Sequence, residues 1–469
     1  MKYYFLGICG TAMASLAILL KQKGHKVWGT DQNVYPPMSN LLRENQIKVW
    51  EGYQEKHLDQ DFDIAVIGNA LSRGNPEIEA ILNNRLRFAS LPEIIRHEFA
   101  EPLKSIVITG THGKTTTTAL MSWILQSVKL SPTFLIGGVA NNFFTSAALG
   151  NSEFFVIEGD EYDSAFFDKR PKFIHYLPQY LIINNIEFDH ADIYKDINQI
   201  KEGFRKLIRT MPKNGLIVAN GDDSHVRETL SSSYTPIIYF GQNQSNDWQF
   251  ECKRNHIQSN TFTVMNKPNT LEEFHIPLHG EHQIYNALGV IILATHIGLS
   301  KDQIQNALNS FKGVKRRLEL LGNLKNALIY DDFAHHPTAI KRTLLTLKNA
   351  YPGKEILAIF EPRTNTTVRN IFQKEITEAL ATADSCLILP IYRSERIPYQ
   401  ERLSLTLLES ELKNIGINVN ILTDYHSIWT YLSKILNENV VGVLLTNGNM
   451  GGEYEKIYNK IKHNYQTEL

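Results

Sequence analysis

The segment Ser105–Thr118, SIVITGTHGKTTTT, leaves this chain few folds. A short apolar run reads as a buried strand. A glycine turn follows, and Lys114 and Thr115 lead into the helical pattern TTTTALMSWILQSV. A strand that feeds a helix through such a turn belongs to a parallel α/β sheet. Backbone N–H groups of the loop point at phosphate oxygens. The helix N-terminus adds positive potential, and Lys114 supplies a mobile cation. The Thr115 hydroxyl suits Mg²⁺. The spacing departs from the usual Walker pattern, whose first glycine would fall at Ile108; here Gly110 stands three residues before Gly113. The bland alternative is a strand-to-helix turn with a surface lysine.

The 469 residues predict about three domains at ~150 residues each. In the first ~100 residues, apolar runs (YYFLGI, HKVWGT, FDIAVIG) alternate with helical segments (TAMASLAILLKQKG, MSNLLRENQ, NPEIEAILNNR), the pattern of βαβ units. The apolar run from Tyr3 to Leu20 resembles a signal peptide, but Gly7 and Gly10 break it; a strand, a turn and a helix explain it better. The central block adds two apolar strands, EFFVIEGD and QYLIINNIEFD. Alternation between about Thr235 and Gly280 predicts exposed antiparallel strands at one end of that domain. After a helix around IYNALGVIILATHIGL comes a basic connector, Gly313 to Arg317. From near Leu318, NALIYDD, EILAIFEP, DSCLILP and GVLLTNGN predict another open α/β sheet. The expected domains are 1–99, 100–315 and 316–469.

Composition narrows the class. Forty-eight basic against 49 acidic residues, a net charge of −1, gives no electrostatic draw toward nucleic acid or an anionic membrane. No stretch approaches the ~20 apolar residues that span a bilayer. The three cysteines, Cys9, Cys252 and Cys386, are too scattered for a disulfide framework, which fits a reducing, cytoplasmic setting.

Two acidic strand ends follow the phosphate loop. FFVIE runs into Glu158-Gly159-Asp160-Glu161-Tyr162-Asp163, and LIINNIEFDH ends in Glu187, Asp189 and His190. Ligands of open parallel sheets bind beyond the carboxyl ends of the strands. Glu158 is therefore placed to hold Mg²⁺ against phosphates, and His190 to hold a second cation or position substrate. Asp160, Glu161 and Asp163 are expected only to cap a helix or face solvent. The N-terminal turn Gly7-Ile8-Cys9-Gly10-Thr11, with Asp31 closing the next strand, supports a nucleotide-diphosphate site or an empty Rossmann-like turn equally. Near the last block, Asp331-Asp332-Phe333-Ala334-His335-His336-Pro337 suggests a polar site or a helix cap. No second ligand cluster has spacing that would make it a zinc site. Arg316 and Arg317 could clamp phosphate or solvate a linker.

Taken in order, these residues resemble the Mur ligase family. The likeness rests on the Lys114 loop, Glu158, His190, the HxxxN segment from His282 to Asn286, the RRxE connector at 316–319 and the DDxxHHP turn at 331–337. It implies a three-domain α/β architecture: a Rossmann-like UDP-binding domain, a central P-loop ATPase domain with an antiparallel extension, and a C-terminal Rossmann-like domain. It implies ATP and Mg²⁺ as cofactors and amide formation through an acyl phosphate. Segments 33–39 (NVYPPMS), 175–178 (HYLP) with 187–192 (EFDHAD), and 360–366 (FEPRTNT) tilt the likeness to the muropeptide-recycling branch. That branch joins UDP-N-acetylmuramate to the tripeptide L-alanyl-γ-D-glutamyl-meso-diaminopimelate, whereas its cousin adds L-alanine alone. By resemblance, Gly110, Thr111, His112, Gly113, Lys114, Thr115 and Thr116 cradle ATP, with Asn286 at the adenine and Arg317 and Asp332 joining from the hinge and third domain. Thr115, Glu158 and His190 would hold metal, and Lys114, Glu158 and His190 would be catalytic. Gly7, Gly10, Thr11, Asp31 and Ser72 would meet the UDP-sugar. Gln283 stands where the family often has asparagine. A nucleotide-dependent switch and a nicotinamide dehydrogenase are the readings from other classes.

Overall fold

A computed structural model describes residues 1–34, 38–191, 193–256, 259–266 and 270–467. Among them, three sheets follow one another along the chain. Strands β1 (Lys2–Leu6), β2 (Lys26–Asp31), β3 (Lys48–Glu51), β4 (Ile64–Ile67) and β5 (Phe88–Ser90) pair in parallel in the order β3-β2-β1-β4-β5. The helix Thr11–Gln22 is buried from Met13 to Leu20 because it is covered on two sides. One side packs on its own sheet. The other meets the central domain, where the Ser15 and Ser146 hydroxyls lie 2.9 Å apart. That double burial explains the apolar run that imitates a signal peptide.

The central sheet has ten strands: β6 (Lys104–Thr109), β7 (Thr133–Ala140), β8 (Thr145–Ala148), β9 (Phe154–Gly159), β10 (Tyr180–Ile183), β11 (Leu216–Asn220), β12 (Ile237–Gly241), β13 (Trp248–His256), β14 (Ser259–Asn266) and β15 (Thr270–Ile276). Their order is β15-β14-β13-β12-β11-β10-β6-β9-β7-β8. The antiparallel extension is β13 to β15. It begins later than the sequence suggests: β12, a short apolar run, pairs in parallel with β11. The antiparallel edge strand β8 is a further departure. For the site, the decisive fact is that β6 lies between β10 and β9. In this register Ile183 aligns with Thr109, and Glu158 with Ile108, so three strand ends open together.

The third sheet comprises β16 (Glu319–Leu324), β17 (Ala327–Asp332), β18 (Glu355–Phe360), β19 (Ser385–Ile388), β20 (Asn418–Ile421) and β21 (Val440–Leu445), ordered β16-β17-β21-β18-β19-β20. Only β16 runs antiparallel to its neighbour. The connector enters this domain from the central sheet. Lys315 N–H donates to Val139 O at 3.0 Å, and the chain then turns at Arg316 with φ +60°. Among the described residues, no helix is long and apolar enough to cross a membrane.

Candidate active site

The phosphate loop is built by asparagines from the neighbouring strand end. His112 N–H donates to Asn185 Oδ1 at 2.8 Å, and Asn184 Nδ2 donates to Thr117 Oγ1 at 3.1 Å. Thr111 Oγ1 accepts from Glu187 N–H at 2.8 Å and donates to Glu187 O at 3.1 Å. Gly113 sits at φ +84°, where a side chain is strained. A Cβ there would stand 2.4 Å from Asn286 Oδ1, so the helix Glu281–His296 leans directly on the loop. Thr116 is buried on the same cavity wall.

Two linked charge clusters face that cavity, whose volume is about 1160 Å³. In the first, Lys114 Nζ donates to Gly110 O and to Glu161 Oε2, both at 2.8 Å. The other oxygen of Glu161 lies 3.3 Å from His190 Nε2. Glu161 is almost wholly buried; although burial opposes its charge, Lys114 and His190 hold its carboxyl down to about 2. Burial likewise works against the charged forms of Lys114 and His190, but the acidic neighbours win and both pKa values rise. His190 is held at φ +54°, a region non-glycine residues seldom enter.

In the second cluster, Glu158 Oε1 accepts from Gly137 N–H at 2.6 Å, and Oε2 from Thr115 Oγ1 at 3.3 Å. A Cβ on Gly137 would meet Glu158 Oε2 at 2.7 Å, so any other residue there would push the carboxylate aside. Burial, then Asp160, push the Glu158 pKa up. Such a carboxylate is short of positive charge. Its oxygen and the Thr115 hydroxyl are hard donors, near the separation of about 3 Å between adjacent ligands of octahedral Mg²⁺, so the pair fits that ion. Arg317 donates to Thr115 Oγ1 at 2.9 Å and comes from the connector. Asp332 accepts from Leu318 and Ala334 N–H, each at 2.7 Å, and burial raises its pKa.

Lys114, Thr115, Glu158, His190, Asn286, Arg317 and Asp332 all line the one cavity. Its far end reaches Thr11 and Ala12, at the start of the first domain's helix. Gly7, Gly10, Asp31 and Ser72 stand outside that lining. Asp31 Oδ2 accepts from Cys9 N–H at 2.8 Å, which fixes the turn, and Ser72 is exposed on the loop after β4.

Two expectations need correction. Glu161 neither caps a helix nor faces solvent; it is buried between Lys114 and His190, because β9 and β10 flank β6. Asp160 is turned to Lys172 at 3.7 Å, whereas Asp163, paired with Lys169, keeps its surface role. Of the two connector arginines, Arg317, the one expected at the ATP site, reaches the loop, whereas Arg316 turns into the third domain, to Asp331 at 3.1 Å and Thr446 O at 2.7 Å. Finally, His336 does acquire partners from distant sequence. His112, Glu187 and His336 bring ligand-type atoms within 4.8 Å of one another. Here His336 Nε2 lies 3.0 Å from Phe188 O, so the cluster clasps the central and third domains together. Gln283 Oε1 accepts from Asn286 Nδ2 at 3.0 Å, so its longer arm braces Asn286. Tyr35, Pro36, Pro37 and Asp192, within the branch-specific segments, lie outside the described residues.

The chain is similar to known proteins along nearly its whole length. Three family models match in succession: "Mur ligase family, catalytic domain" at residues 2–101, "Mur ligase middle domain" at 108–294, and "Mur ligase, glutamate ligase domain" at 316–446. The chain is 38% identical over 466 residues to the UDP-N-acetylmuramate–L-alanyl-γ-D-glutamyl-meso-2,6-diaminoheptanedioate ligase of Haemophilus influenzae, covering 98% of this chain and 99% of that one. It is 41% identical over 402 residues to the Escherichia coli ligase of the same name, covering 85% and 86%. The crystal structure of a murein peptide ligase from Psychrobacter arcticus superposes with a TM-score of 0.74 at 34% identity, covering 98% of each chain.

Proposed function

This chain belongs to the Mur ligase family of ATP-dependent amide-forming enzymes, and from that premise we propose that it joins L-alanyl-γ-D-glutamyl-meso-diaminopimelate to UDP-N-acetylmuramate in the reuse of cell-wall peptides. One observation carries the reading: a single cavity runs from the first domain's helix start, past the phosphate loop, to the loops of the third domain. Three substrates can meet there. Residues 1–99 take the UDP-sugar, 100–315 take ATP, and 316–469 take the peptide. The cytoplasm, which supplies ATP and UDP-sugars, is the compartment.

A free carboxylate is a poor electrophile because its charge is delocalised and its leaving group is poor. In the proposed sequence, an oxygen of the lactyl carboxylate attacks the γ-phosphorus and ADP leaves. The peptide's neutral amine then attacks the acyl carbon, and orthophosphate leaves with one oxygen from the acid. The obstacle in the first step is bringing two anions together. Lys114 offsets that repulsion, and backbone N–H groups of the loop hold the phosphates. Thr115 and Glu158 would hold Mg²⁺, which neutralises phosphate charge, and His190 would serve a second cation. Arg317 ties the third domain's connector to Thr115, so docking of that domain and order at the phosphate loop are coupled. Closure around the acyl phosphate keeps water out.

The test is a donor panel with UDP-N-acetylmuramate, ATP and Mg²⁺, read by mass spectrometry. The tripeptide should give an amide product, and ¹⁸O from the muramyl acid should appear in orthophosphate. Product with L-alanine alone would move the assignment to the other ligase. Lys114→Ala should abolish ATP turnover while the far-UV circular dichroism of the folded protein is kept, with a lowered melting temperature because Glu161 loses its buried partner.

A further inference from the structure

Lys172 is a buried cation that the reaction just described does not use. It begins the short helix Lys172–Tyr176, is 6% exposed, and lines the same cavity as Thr11 and Ala12; its helix packs on the helix Leu91–Ile95, which packs on the helix Thr11–Gln22. Apolar side chains, Leu91, Ile95 and Ile157, also line it. A buried ammonium is costly unless hydrogen-bonded and paired. Lys114 meets that condition with Glu161 at 2.8 Å, and the buried Lys201 meets it with Glu228 at 2.7 Å. The nearest carboxylate oxygen to Lys172, on Asp160, is 3.7 Å away, beyond hydrogen-bond reach. The ring of Tyr162, centred 4.0 Å from Nζ, covers another side. Asp160 and Tyr162 therefore hold the ammonium in place without satisfying it, and burial drives its pKa down.

A partly compensated cation on a cavity wall fits an anion. Its position says which one. A diphosphate belongs at the N-terminus of the helix Thr11–Gln22. The γ-phosphate of ATP belongs at Lys114. The sugar and its lactyl acid must span from the first to the second along the wall that Lys172 shares. We propose that Lys172 receives the carboxylate of the UDP-linked acceptor and presents it toward the phosphate loop, as a positioning residue. This rests on the proposed acceptor, and it adds that the acid group itself is recognised before any chemistry.

The experiment is calorimetric binding of UDP-N-acetylmuramate and of UDP-N-acetylglucosamine, identical but for the lactyl acid, to the full chain without ATP. Wild type should prefer the acid by about tenfold or more, since a buried charge pair is worth that much. Lys172→Met should lose that preference while its affinity for UDP-N-acetylglucosamine stays unchanged, and Lys172→Arg should keep most of it. Lys172→Gln carries the same expectation as Lys172→Met should the methionine variant melt early. The proposal is overturned if the neutral variants keep the preference, lose both ligands alike, or if wild type shows none. Absence of amide product from wild type would instead strike the proposed reaction, and the binding comparison would still read the role of Lys172.

Discussion

At the level of single side chains, Glu161 sets the charge balance beside the phosphate loop. Lys114 and His190 share it, so its removal should be felt by both. In Glu161→Gln the raised His190 pKa should fall back toward its ordinary 6.5, followed by NMR titration of the ring. The same change leaves a buried ammonium without its counter-charge, a loss of about 3 kcal/mol that thermal melting would register. An unmoved His190 midpoint would mean that the 3.3 Å contact carries no electrostatic weight. Gly137 is the complementary case. A methyl group there would press on Glu158 at 2.7 Å. Gly137→Ala should therefore raise the Mg²⁺ concentration for half-maximal turnover by about tenfold, a penalty near 1.4 kcal/mol. An unchanged Mg²⁺ titration would remove Glu158 from the metal site.

At the level of elements, the connector is held by its first arginine. Arg316 pairs with Asp331, which is wholly buried at the end of β17, and its guanidinium lies 4.6 Å from the Tyr454 ring centre. Burial raises the Asp331 pKa to about 6 even with Arg316 present. In Arg316→Ala that carboxyl should be protonated more readily still. The variant's deficit should then be largest near pH 8, about 3 kcal/mol, shrink as pH falls toward 6 and the variant's Asp331 takes up its proton, and level off below that. Melting curves at pH 8 and pH 5 test this; an equal deficit at both would assign the loss to packing. The connector also marks how far sequence alone could reach. The β6–loop–helix unit was legible because its signals are local: an apolar run, two glycines, a lysine and a threonine. The antiparallel extension was legible from alternation, although its start was misplaced where the apolar run of β12 gave no direction. The burial of Glu161 between Lys114 and His190 and the meeting of His112, Glu187 and His336 were not legible. Each depends on which strands are neighbours, and strand order leaves no local mark.

At the level of the whole molecule, the third domain is docked on the central one through polar contacts that surround neutral histidines. Thr338 donates to Glu187 at 2.5 Å and Thr366 to Asp189 at 2.7 Å. The ring of His279 stands edge-on to Tyr330 of the third domain, with centroids 6.4 Å apart. Burial pushes the His279 and His336 pKa values down to about 4; burial, with Arg342 nearby, pushes His282 down to about 3. The docked form therefore favours uncharged rings. Their contribution is complete above 6.5, the ordinary histidine value, and is lost progressively as pH falls toward 4 and 3. Glu161 and Glu187, both held down to about 2, act lower: their stabilisation is present above about 4.3 and lost as pH falls through 2. Asp331 works in the opposite sense, since its raised pKa favours the folded form as pH drops through 6. The histidines outweigh it, at roughly 1–2 kcal/mol per ring by pH 5 against about 1 kcal/mol. Acidification from pH 8 to 5 should thus lower the melting temperature and, by X-ray scattering, enlarge the particle as the third domain swings away, before Glu161 or Glu187 is protonated. His282→Gln should flatten part of that dependence. If the particle keeps its size down to pH 5 while the melting temperature falls, the lost stability lies inside a domain, and the histidine-lined interface is not the joint at which this ligase opens.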